Sequence, residues 1–116
     1  MLREDIRSAL LLSAVVAATT LGFAIDIASG ESPHASYTVH IKAMRFDPQE
    51  LTVKAGDTVV WVNQDFFPHT ASAANGQFDS HDIAAGGSWK YVATKAGDFA
   101  YICSLHPNMP GTLHVN

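Results

Sequence analysis

From Tyr37 to Asn116, apolar side chains recur mostly at every second position, the period of a strand with one buried and one wet face. A helix would need apolar residues three and four apart, and no stretch of this region supplies them. Tyr37, Val39 and Ile41 make the first such face, and Leu51 and Val53 the next. Thr58–Asn63 is a β-branched run around Trp61, with Val60 and Val62 on one side. Breaks fall at Ala55-Gly56-Asp57, Asn75-Gly76, Gly86-Gly87 and Ala96-Gly97-Asp98. Alternating runs also occupy residues 89–93, 99–103 and, after Gly111, 112–115. Turn signals about 8 to 12 residues apart predict an all-β fold, a sandwich of seven to eight strands in two sheets.

The first thirty residues are of a different kind. Arg3 and Arg7 precede an apolar run over residues 9–23, shorter than the roughly 20 residues that cross a bilayer core. It reads as a secretory signal peptide over residues 1–30, with cleavage near 24–30 at small residues such as Ala24, Ala28 and Gly30. Glu4 and Asp5 offset the two arginines, which leaves a retained membrane tether as the alternative. Residues 31–36 read as a polar linker and 37–116 as one domain, so a periplasmic location is expected. With 7 Lys and Arg against 11 Asp and Glu, the chain has a formal charge of -4, which argues against a nucleic-acid partner. Its 116 residues leave no room for a second catalytic domain.

The chemistry gathers at the C-terminal end. Cys103 is the only cysteine, so in an exported chain it has no intrachain disulfide partner and must be inert, linked between chains or a metal ligand. His106 follows three residues later and Met109 six, all on one short loop pinned between two strands and stiffened by Pro107 and Pro110. A fourth donor should come from a loop at the same end of the sandwich, and His69, in Phe66-Phe67-Pro68-His69-Thr70, fits that place. Two imidazoles, a thiolate and a thioether suit a copper ion that moves electrons, although zinc could occupy the same set. Four protein ligands leave no open position for substrate, so catalysis at the metal and a small-molecule substrate are not expected.

These residues resemble the cupredoxins, the type 1 blue copper proteins, and the Cys-x-x-His-x-x-Met spacing is most similar to that of the amicyanins. Plastocyanins and pseudoazurins, with a longer gap between His and Met, come next. The likeness takes in Phe46-Asp47-Pro48, the turn from Val53 to Thr58, Trp61-Val62-Asn63 and Pro68-His69. It implies a Greek-key β-sandwich, one Cu(I)/Cu(II) ion per chain held by His69, Cys103, His106 and Met109, and a monomeric electron carrier. It further implies that electrons leave through His106 to redox proteins docking transiently on an apolar patch of Pro68, Pro107, Met109 and Pro110. Asn108 stands where amicyanins usually carry a large apolar residue, so that patch is more polar here. By the same resemblance, the Thr70 amide donates to the Cys103 sulfur and Asn63 bonds across the loops; replacing Thr70 should leave the potential roughly intact if only its backbone matters, and a large shift would point to its hydroxyl.

Taken singly, each ligand candidate has a plainer reading, a packed ring, a buried small hydrophobe or a gap-filling thioether; their joint spacing makes the metal site. The other histidines keep the plain reading: His40 and His114 on wet faces, His34 in the linker, His81 a candidate for a minor metal or partner contact. Trp61 and Trp89 are expected in the core, and Asp79, Asp82 and Asp98 in solvated turns. A multicopper oxidase or nitrite reductase would need further clustered histidines and more chain. A storage or delivery protein without redox turnover is the alternative to the carrier, but two prolines beside the ligands favour a fixed site over an adaptable one.

Overall fold

The computed structural model describes residues 33–116; the signal-peptide segment and the start of the linker lie outside them. Eight strands follow in order: β1 Ser36–Lys42, β2 Arg45–Asp47, β3 Glu50–Val53, β4 Thr58–Asn63, β5 Ser72–Ala73, β6 Ser88–Val92, β7 Gly97–Cys103 and β8 His106–Val115. They form two four-stranded sheets, β2-β1-β4-β6 and β3-β8-β7-β5. β1 with β4 and β3 with β8 are parallel pairs, which need crossover connections, and the other pairs are antiparallel. The all-β sandwich expected from the alternation is therefore present, with no helix among the described residues.

The core lies where the inward faces meet: Val39, Ile41, Phe46, Val59 and Trp61 from one sheet, Phe99, Tyr101, Cys103, Met109, Leu113 and Val115 from the other. On β4 the buried face is Val59, Trp61 and Asn63, while Val60 and Val62 are half-buried on the opposite side. Trp61 outranks the valines because one indole removes more apolar area from water than either, which sets the register of the strand. Trp61 is fully buried, whereas Trp89 packs at the margin of the core.

The segment after Cys103 is a strand, not the loop its prolines suggest. β7 and β8 form a hairpin closed by Ser104 and Leu105, with Cys103 facing His106 across the turn. The next ladder pair is Ile102 with Pro110, so Pro107, Asn108 and Met109 form a bulge with no counterpart on β7. A bulge bends its strand and re-aims a side chain. Here Met109 turns inward to 1% exposure and begins the buried series Met109, Gly111, Leu113, Val115.

At the other end of the sandwich, two carboxylate clusters set how stability varies with pH. Asp57, itself buried, accepts the amides of Ala35 (2.8 Å) and Lys54 (2.9 Å), and those two bonds hold its carboxyl below the usual carboxylate range. On the outer face of the second sheet, the His114 ring sits between Asp98 (2.7 Å from Nδ1) and Glu50 (3.1 Å from Nε2), tying β8 to β7 and β3 rather than standing free in solvent. Asp98 first, then Glu50, raise the His114 pKa above its ordinary value. A raised histidine stabilises fully below its unfolded pKa of about 6.5 and stops as pH climbs through the higher folded value; a lowered carboxylate stabilises above about 4 and stops as pH falls. Thermal denaturation is thus expected to show stability falling as pH rises above about 6.5 in the wild type but not in His114→Gln, while both lose stability together below about pH 4. A wild type and His114→Gln with the same alkaline slope would remove the role assigned to the clip.

Candidate metal centre

Three donor atoms converge at one end of the sandwich. The donor atoms of His69, Cys103 and His106 lie within 4.8 Å of one another. Each imidazole turns Nδ1 toward the sulfur, at 3.6 Å in both cases, and the ring centroids stand 4.9 Å apart. A first-row metal about 2.3 Å from sulfur and about 2.0 Å from each nitrogen, at tetrahedral to trigonal angles, spaces such donors about 3.5 to 3.7 Å apart. Two imidazoles and one thiolate fit a metal of the copper class, the set found in copper electron-transfer sites. His69 and Cys103 are fully buried and His106 is half-exposed. Met109, predicted as the fourth donor, is buried on the same strand as His106, within the bulge.

His69 reaches this point because Pro68 and a two-way backbone bridge to Ile83 hold its loop: His69 N–H donates to the Ile83 carbonyl at 3.1 Å, and Ile83 N–H returns the bond at 2.7 Å. The buried Asn63 side-chain amide donates to the carbonyls of Phe67 (2.8 Å) and Ile83 (2.9 Å), the cross-loop tie expected of it. Thr70 N–H donates to the Cys103 sulfur at 3.3 Å, also as expected. Such a bond withdraws density from a thiolate and so tunes a metal bound to it.

Asp65 escaped sequence reasoning. Its carboxylate accepts His69 Nε2–H at 2.8 Å and also the amides of Ala43 (2.7 Å) and Met44 (3.0 Å). Burial alone would raise its pKa, but the Met44 and Ala43 amides and the His69 ring together hold it below the usual range. An ionised carboxylate only accepts, so His69 must carry its proton on Nε2, which leaves the Nδ1 lone pair facing the sulfur. The same carboxylate holds Ala43 and Met44, both at positive φ (53° and 62°), in a turn that non-glycine residues rarely adopt. The only hint in the sequence was an acidic residue four positions before His69.

Thr70 does more than lend its backbone. Its hydroxyl oxygen accepts the Ser104 amide at 2.8 Å, so the residue after the thiolate hangs on a side chain from another loop. Of the two Thr70 groups, backbone and hydroxyl, both therefore reach the Cys103 segment.

The surface around His106 also differs from expectation. Of the expected patch, Pro68, Pro107 and Pro110 are exposed but Met109 is inside, and Phe66 (95% exposed), Phe67 and Leu105 are further exposed apolar residues close in sequence to the prolines and ligands. Phe67 lies 6.3 Å from the His106 ring, centroid to centroid. His40 is exposed, and the exposed His81 has Asp79 as its nearest ionic neighbour, its Nδ1 3.9 Å from the carboxylate.

Residues 33–116 match the family described as copper binding proteins, plastocyanin/azurin family. The chain is 32% identical to the amicyanin of Paracoccus denitrificans, over 95% of each chain. Among solved structures, it is similar to a purple cupredoxin from Nitrosopumilus maritimus (TM-score 0.63, 28% identity), covering 69% of this chain and 99% of that one. It is also similar to a copper-containing nitrite reductase from Thermus scotoductus (TM-score 0.65, 30% identity), covering 75% of this chain but 23% of that much longer one.

Proposed function

The chain belongs to the plastocyanin/azurin family of copper binding proteins, and from that premise we propose that it is a small soluble electron carrier of the periplasm, its copper ion held by His69, Cys103, His106 and Met109. The observation that carries this reading is the preformed set of donors: two imidazole nitrogens 3.6 Å from one buried thiol, with His69 and Cys103 further held by bonds from Asp65 and Thr70. A rigid cage of this kind lowers the rearrangement that accompanies each change between Cu(I) and Cu(II), while the metal supplies the redox change. A catalytic metal needs an open coordination position, and a fourth ligand from Met109 would leave none.

Electrons would enter and leave by the half-exposed His106 ring, beside which Phe67 and the exposed Pro68, Pro107 and Pro110 would offer an apolar contact for a transient redox partner. No nucleic acid or small-molecule substrate enters this reading, and the carrier acts as a monomer. Residues 1–30 would export it, with 31–36 as linker and the domain from 37 onward. Copper titration followed by voltammetry tests the proposal. The carrier requires one copper per chain, an intense visible colour that bleaches on reduction, and a reversible wave. Copper taken up without colour or reversible response would favour storage or delivery and overturn it.

A further inference from the structure

A chain of hydroxyl groups runs from the metal-binding hairpin to a surface carboxylate. Ser104 Oγ lies 3.0 Å from Thr70 Oγ1, Thr70 Oγ1 2.9 Å from Ser72 Oγ, and Ser72 Oγ 3.0 Å from Asp79 Oδ1. Donor counting gives the chain one direction. The Asp79 carboxylate also accepts the His81 amide at 2.9 Å, and that bond first, with the Ser72 bond, keeps it ionised. It can therefore only accept, and the single Ser72 proton goes to it. Ser72 Oγ then accepts from Thr70. Having spent its proton, Thr70 Oγ1 accepts both the Ser104 hydroxyl and the Ser104 amide, the latter at 2.8 Å. Every member is satisfied, and the end of the chain is a charge that polarises each bond toward itself.

The two ends differ in setting. Thr70 is buried, adjoins His69 and donates its amide to the Cys103 sulfur, whereas Asp79 is half-exposed on the segment bridged to Ser72. We propose that Asp79 is a positioning residue for the metal-binding hairpin, acting through Ser72 and Thr70 to hold Ser104 and the amide aimed at the Cys103 sulfur. This rests on the copper reading above for its effect on the metal, but the restraint itself belongs to the metal-free protein.

Amide hydrogen exchange in the metal-free protein therefore tests it independently of copper. Asp79→Ala and Ser72→Ala should each speed exchange of the Ser104 amide by about tenfold, with a smaller rise at Thr70 and no change at Val60 or Tyr101. Asp79→Asn, which keeps an acceptor oxygen, should stay near the wild-type rate. In copper-loaded protein the two alanine variants should share a downward shift in reduction potential that Asp79→Asn lacks, because a looser amide withdraws less density from the sulfur. Unchanged Ser104 exchange in both alanine variants overturns the proposal, and so does a rise spread evenly over the strands, which marks general destabilisation. If the chain took up no copper while Ser104 exchange rose as stated, the carrier reading would fall and the restraint would stand.

Discussion

Cys103→Ala is expected to leave a folded protein that has lost the intense visible absorption of the copper-loaded chain entirely. Cys103 contributes the one thiolate, fully buried and placed 3.6 Å from both imidazole nitrogens. The colour of such a site comes from charge transfer out of that sulfur, so nitrogen and thioether donors left behind can bind copper but cannot supply the band. The structural cost is small by comparison. Removing one buried sulfur forfeits about 1 kcal/mol of burial, and the Thr70 amide that donates to it at 3.3 Å is left unpaired, for a further 1 to 3 kcal/mol or so. Spectra and far-ultraviolet circular dichroism on the same sample separate the two effects. His40→Ala, an exposed imidazole on the outer face of β1, serves as the control and should keep the band. Intense colour surviving in Cys103→Ala, or disappearing in His40→Ala, would sink the assignment.

Cys103 is legible in the sequence because its chemistry is local. His106 lies three positions on, and the two-residue hairpin turn between them brings the pair into contact. His69 was legible for a weaker reason, that alternating strands of known length put its loop at the same end. What stayed hidden is the set of bonds between loops. Asp65 meets Ala43 and Met44 across more than twenty residues, and Thr70 meets Ser104 across 34, so no periodicity or short spacing announces them. The prolines misled in a related way. Pro107 and Pro110 read as loop residues because neither can donate to a ladder, yet the β7–β8 hairpin absorbs them by bulging between its pairs. That bulge takes Met109 out of the surface patch and into the core.

Gly111→Ala tests whether that hairpin can move. Gly111 faces Tyr101 across the ladder, two residues beyond Met109, with Tyr101 in turn two residues before Cys103. A methyl group there would overlap the Tyr101 ring, lying 2.6 Å from its hydroxyl oxygen. The ring has nowhere to retreat: Phe46, Trp61 and Phe78 stand 4.7, 5.5 and 5.8 Å from it, centroid to centroid. Burial has already pushed its hydroxyl up to about 12, so it is neutral and packed as a core residue. Relief must come from the backbone, by moving β8 away from β7. Overpacking of this kind costs about 1 to 3 kcal/mol, and the rigid aromatic surround puts this case at the upper end, near 3 kcal/mol in chemical denaturation. The same displacement separates Cys103 from His106 and Met109, which lie on opposite strands of the hairpin. Copper affinity should therefore fall together with stability, and the second substitution Tyr101→Leu, which removes the ring, should recover part of both. A Gly111→Ala protein within 1 kcal/mol or so of wild type, with its copper spectrum unchanged, would show that the hairpin yields there and that the glycine does not hold the ligands in register.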